Sequence, residues 1–211
     1  MRYGYCCVLL QLAVVTLVPP ESRAQNTRQY YSGKLGYYRP RDGLNNGLLI
    51  GVDGVTEFLR ANVILAGSVD AYPKQSIDIF KDPQPGGRPA PDISQQQIVV
   101  LPIHLNLGYK LFEAGDIDSR MYAGVGGGYY FYFYSATYRT PGGLPGGSLT
   151  SSTDSKNGGD VLGTAFIRLL VNQIFIEPRL YFASRSADQL GGYSFVVNPS
   201  GFAVTLGFQS R

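Results

Sequence analysis

Tryptophan is absent from the 211 residues, histidine occurs once, and the two cysteines, Cys6 and Cys7, both stand within the first seven positions. Beyond those positions no disulfide framework and no cysteine-ligated metal site can form. The lone histidine, His104, has no serine and acid at the spacing of a nucleophilic triad, so the chain is expected not to be an enzyme. The glycine-rich stretch 139–159 lacks the G-x-x-x-x-G-K-[ST] run that cradles phosphate, and Asp154 and Asp160 alone make no calcium site. No metal and no cofactor is therefore expected. Charged residues amount to 16%, with a net charge of +3 spread along the chain, which leaves no footprint for nucleic acid. Past the N-terminal segment, no apolar run approaches the length of a membrane-crossing helix.

What is present is glycine, tyrosine and a repeated alternation. Residues 101–111 place Leu101, Ile103, Leu105, Leu107, Tyr109 and Leu111 on one face of a strand and His104, Asn106, Gly108 and Lys110 on the other. Met1–Ala24 reads as a secretory signal peptide: Arg2 gives a basic start, Val8–Val18 an apolar run, and Ser22-Arg23-Ala24 a cleavage-like triplet. The expected organisation is a signal peptide over 1–24, exported by the Sec route, and one barrel domain over 25–211. An alternation that recurs on an exported chain suits an exterior solvated by lipid.

Eight strands are expected, near 29–38, 47–55, 62–72, 97–111, 120–137, 160–171, 174–184 and 200–209. The polar insertions follow the odd-numbered strands: Arg39–Asn46, Pro73–Gln96, Arg139–Gly159 and Arg185–Pro199. Shorter connections follow the even ones: Thr56–Ala61, Phe112–Ser119 and Asn172-Gln173. Long outer loops and short periplasmic turns are the pattern of an eight-stranded antiparallel up-and-down transmembrane β-barrel, all-β in class, with both termini periplasmic. Pro102 and Pro178 fall inside strands and lack the donor a ladder needs, so each is expected to mark a bulge or a local gap.

The opposite faces collect charge. A two-residue turn at Asn172-Gln173 sets Arg168 against Glu177 and Leu169 against Ile176. The expected lumen network is Lys34, Asp53, Asp70, His104, Lys110, Arg168, Glu177 and Arg179, a structural arrangement in which buried ions neutralise one another. Gly124, Gly126 and Gly128 share the inner face with Tyr130, Tyr132 and Tyr134. They either make room for side chains from other strands or leave a small channel. Tyr129, Phe131, Phe133 and Phe182 are expected in an aromatic girdle at the outer rim.

Signal peptide, strand count, outward alternation and a final strand ending at Phe208 together resemble small bacterial outer-membrane barrels, the OmpA/OmpX/OmpW-like group. Leu101-Pro102-Ile103 and Glu177-Pro178-Arg179-Leu180-Tyr181 resemble the outer membrane protein beta-barrel domain of the Bacteroidota type. The resemblance implies location in the outer membrane and insertion by its assembly machinery, with Phe208 as the C-terminal signal. Here Phe208 is followed by Gln209-Ser210-Arg211 rather than ending the chain. The expected role is a monomeric structural or surface-interaction barrel in outer-membrane lipid, with a filled lumen and outer loops that meet an extracellular ligand or a surface glycan. Two alternatives stand beside it: a narrow, porin-like conduit for small solutes along the inner glycines, and a lipid-modifying enzyme centred on His104.

Overall fold

Alternation of apolar and polar residues leaves a chain only one way to bury its charges without a second layer, which is to roll one sheet onto itself. The computed structural model describes residues 27–42, 44–75, 92–115, 118–140, 150–190 and 193–210. The signal-peptide reading of 1–24 lies outside them. Among the described residues nine strands are formed: β1 (Thr27–Asp42), β2 (Gly47–Phe58), β3 (Val63–Gln75), β4 (Asp92–Ala114), β5 (Ser119–Thr140), β6 (Thr150–Val171), β7 (Ile174–Ala183), β8 (Ser186–Leu190) and β9 (Tyr193–Gln209). Eight make an antiparallel ring in the order β1-β2-β3-β4-β5-β6-β7-β9, closed by β9 on β1; β8 pairs with the start of β9.

The stagger of the ring follows from the ladder itself. A path of direct partners from Tyr30 runs through Val55, Ala66, Asn106, Gly126, Thr164, Tyr181 and Gly201, and re-enters β1 at Pro40, ten residues further on. Strands so staggered tilt by roughly 35–45° and enclose a bore just wide enough for side chains to fill.

The expected strand positions are kept, but several strands run further. The stretch 139–159 is largely ladder, with β5 and β6 paired out to Thr140 and Thr150. The stretch 150–159 has no apolar alternation to betray a strand, and the side chains of 152–157 are exposed. Most of 185–199 likewise forms the β8–β9 hairpin rather than a loop. The ring is consequently uneven: β4, β5 and β6 rise as a tall wall, whereas β2 and β3 stop near the rim.

The short connections share one device. Asn62, Asp118 and Asn172 have φ of 54°, 43° and 57°, one at each short turn. Side chains of this kind hydrogen-bond locally and tolerate the left-handed region better than other L-residues. Pro102 and Pro178 both sit at gaps. Pairing of β3 with β4 breaks between Val69↔Ile103 and Tyr72↔Val100, at Pro102. Pairing of β6 with β7 breaks between Phe166↔Arg179 and Leu169↔Ile176, at Pro178. Register is unchanged across both gaps, and each proline remains paired on its other side, with Tyr130 and Val204.

The turn geometry makes Asn172 a test of the β6–β7 register. Asn172→Val forces a β-branched residue into the left-handed region and should lower stability by about 1–2 kcal/mol, read as an earlier urea midpoint, whereas Asn172→Gly should stay near wild type.

Candidate functional site

Inward positions of the ring stack in layers along the bore. The middle layer is ionic. Lys34 Nζ lies 2.8 Å from Asp53 Oδ1 and 2.9 Å from Asp70 Oδ1. Arg168 donates from Nε to Glu177 Oε2 at 2.7 Å and from Nη2 to Asp53 Oδ2 at 2.5 Å. Arg179 donates from Nε to Glu177 Oε1 at 2.9 Å. His104 Nε2 meets Asp70 Oδ2 at 3.0 Å, and the Tyr181 hydroxyl donates to the same oxygen at 2.7 Å. Three cations thus face three carboxylates, all nearly free of solvent.

Neutral groups complete the layer. The Ser32 hydroxyl donates to Asp53 at 3.3 Å, the Asn106 amide to Ser68 at 3.0 Å, and the Thr164 hydroxyl to Asn106 Oδ1 at 2.8 Å. The Arg168 guanidinium lies 4.2 Å from the Phe175 ring centroid, and that of Arg179 lies 5.3 Å from Phe166. Arg168 Nη1 has no hydrogen-bond acceptor, and the ring face beneath the guanidinium partly offsets that loss. Gly51 and Gly207 are positional requirements here. A Cβ on Gly51 would run into the Asp70 carboxylate and the Lys34 stem, and one on Gly207 into the Phe175 ring.

Of the eight residues singled out from sequence, the structure brings seven into this layer. Lys110 is the exception. It lies nearer the short-turn end, 2.6 Å from Glu113 and 3.5 Å from Glu57, in a second cluster where Glu57 also receives the Arg120 guanidinium at 3.3 Å and the Tyr122 hydroxyl at 3.1 Å. Arg120 further pairs with Asp118 at 2.5 Å. Lys110 separates from the rest because it sits six residues past His104, and three steps of alternation carry it down the bore. Sequence reading missed Glu57 and Arg120 because the second strand was ended too early and the fifth began at its own boundary. Parity was the available signal, since Asp53, Val55 and Glu57 share a face.

Above the ionic layer the bore is closed by tyrosine. Tyr38, Tyr72, Tyr130, Tyr132, Tyr134 and Tyr181 are buried with Phe195 and Val197 of the β8–β9 hairpin, which leans across the mouth. Their hydroxyls tie down the surrounding chain: Tyr38 to the Pro199 carbonyl, Tyr72 to that of Asn45, and Tyr130 to that of Ser184 at 2.9 Å. Tyr132 donates to Asp188 at 3.0 Å, and Lys156 pairs with the same carboxylate at 3.0 Å. Partial burial would raise the Asp188 carboxyl, but the Gln189 amide, Lys156 and Tyr132 together hold it below the usual carboxylate range.

The outward faces carry Tyr129, Phe131, Phe133 and Phe182, all exposed, as well as Tyr37 and Phe202, toward the tall end. A second aromatic tier lies at the short-turn end, made by Tyr31, Tyr109, Phe112 and Phe208. Tyr109 pairs with the first residue of β3 and Phe208 with the first residue of β7, which fixes their level.

Removing one ion from the middle layer strands its partners. Glu177→Ala leaves Arg179 buried without its carboxylate and Arg168 with Asp53 alone, and should cost about 3–5 kcal/mol. The double variant Arg179→Met with Glu177→Leu should be less destabilised than Glu177→Ala in the same urea titration, because it removes one cation with one carboxylate and leaves Arg168 on Asp53.

No family model and no curated protein matches the chain. Several solved structures do resemble it. Ail, the attachment invasion locus protein of Yersinia pestis, in complex with the heparin analogue sucrose octasulfate, is 12% identical over 88% of this chain and 99% of that one, with a TM-score of 0.45. Neisserial surface protein A is 10% identical over 89% and 99%, with a TM-score of 0.42. A major outer membrane protein from Thermus thermophilus is 16% identical over 86% and 99%, with a TM-score of 0.49. By its own strand number, closure and inward-facing ions, the chain has the fold of the small outer-membrane β-barrels.

Proposed function

We propose that the chain is a structural or surface-interaction protein of the bacterial outer membrane, a monomeric barrel with a filled lumen and an outward-reaching polar wall. One observation carries the reading: the ionic groups of the ring turn inward, while the outside between the two aromatic tiers is apolar and uncharged. Every outward position from Leu48 to Phe58 on β2, from Val63 to Pro73 on β3 and from Ile174 to Phe182 on β7 lacks charge. A water-facing sheet has no need of Leu105, Leu107, Ile176, Leu180 and Leu206 at 40–60% exposure. The shortest ring strand, β7, has 10 residues. At about 3.3 Å per residue and a tilt of about 40°, it rises about 25 Å, the height of a bilayer-facing apolar band.

The tall wall and the longer connections then lie outside the cell and both termini in the periplasm, where short turns belong. The wall's exposed Ser152, Thr153, Ser155 and Asn157 offer hydroxyl and amide groups to an extracellular ligand or a surface glycan. Phe208, outward in the last ring strand, is the residue we assign to recognition by the assembly machinery. A conduit is less well supported. A Cβ at Gly124, Gly126 or Gly128 would strike neighbouring backbone and side chains, so the glycines serve the close approach of β4 and β6 to β5. The role is non-catalytic in this reading: both ring nitrogens of His104 are engaged, by Asp70 and by Asn106 and Arg179.

Purified protein in planar bilayers should give no stable ion-conducting openings, and sustained openings would overturn the filled lumen. In the cell, a heat-modifiable band should appear in the outer-membrane fraction. Leu206→Arg, in the middle of the apolar exterior, should destabilise the bilayer-embedded barrel by about 2–4 kcal/mol, measured by urea unfolding from vesicles.

A further inference from the structure

Beyond the upper aromatic tier, the outward face of the ring strands is neutral almost throughout. Gln95 and Gln97 on β4, Ser155 and Asn157 on β6 are typical. Charge is concentrated at one place among the described side chains. Arg39 and Arg41 stand two residues apart on β1, on the face that carries Leu35 and Tyr37, and both are exposed. Neither takes part in a hydrogen bond or ion pair with a described residue. Lys156, the cation on the tall wall, is by contrast paired with Asp188.

Two guanidinium groups about 7 Å apart along one strand face repel each other, and among the described side chains no carboxylate pairs with them. Directly beneath them is an apolar shelf. Arg39 is the ladder partner of Phe202, and Tyr37 that of Leu48, with Tyr37, Leu48 and Phe202 all about half exposed. Cations at the edge of an apolar surface are screened less than in open water, and guanidinium forks match phosphate oxygens in pairs. A free anion would use the cations and leave the shelf bare. An amphiphile uses both.

We propose that Arg39 and Arg41 grip the phosphate of a phosphorylated glycolipid in the outer leaflet, its acyl chains lying on Tyr37, Leu48 and Phe202. The assignment rests on the reading that the barrel exterior meets lipid and that the tall end faces outward. The two are separable by experiment, because heat-modifiable insertion is scored before any lipid is counted.

The test uses the full mature barrel in phosphatidylcholine discs containing either bisphosphorylated lipid A or the same lipid A without its phosphates, with retained lipid read by native mass spectrometry. Wild type should retain the phosphorylated lipid in preference to the other. Arg39→Gln with Arg41→Gln should lower that retention on the order of tenfold or more, whereas Lys156→Gln should leave it unchanged. The proposal is overturned if the double glutamine variant inserts and retains the lipid as well as wild type. Equal retention of dephosphorylated lipid also overturns it, as does displacement by millimolar inorganic phosphate, which would mark a site for a free anion. A barrel that fails to insert at all removes the membrane reading and this one with it.

Discussion

Closure of β9 onto β1 is the constraint on which the rest of the molecule depends. Once the ring is shut with a ten-residue stagger, each strand below the tall wall is paired on both sides, with gaps at Pro102 and Pro178. The bore is then too narrow for bulk water. Each inward polar group must find its partner among the other inward groups. Pro102 and Pro178 show how tightly this is drawn: each interrupts one ladder over a short gap, yet register resumes unchanged on the far side.

The ionic layer follows from that narrowness. Three cations and three carboxylates lie within one level, and several are shared: Asp70 pairs with Lys34, meets His104 and accepts from Tyr181, and Glu177 takes both arginines. Paired ions in a low-dielectric bore give little net stability over apolar packing of the same volume, but a single missing partner is costly. The arrangement therefore acts on specificity. A strand slipped by one residue would turn Arg168 or Glu177 outward and strand its partners, so the charges penalise wrong registers more than they reward the right one.

Much of this was legible from spacing. The β6–β7 register followed from a two-residue turn at Asn172-Gln173, because period-two faces leave no other parity that sets Leu169 against Ile176. The long polar extensions of β5 and β6 were not legible, since 150–159 carries no apolar alternation and the side chains of 152–157 are exposed. Glu57 was readable by parity but lay past an assumed strand end. The tyrosine closure could be placed on the inner face from sequence. The folding of the β8–β9 hairpin over those rings could not, since it depends on Phe195 meeting Tyr132 and Tyr134 across more than sixty positions of chain. The aromatic tier at the short-turn end is scattered over three strands, and only the assembled ladder puts its members at one height.

The uneven height of the ring has a consequence for how the molecule sits among its neighbours. The tall wall of β4, β5 and β6 rises on one side, and β1 with its two guanidinium groups stands four strands away, on the other side of the circle. A cylinder would look the same from every lateral direction, but this one has a front and a back. Anything diffusing in the plane beside it meets either a polar parapet or a cationic flank, so its crowding with other molecules is directional rather than random.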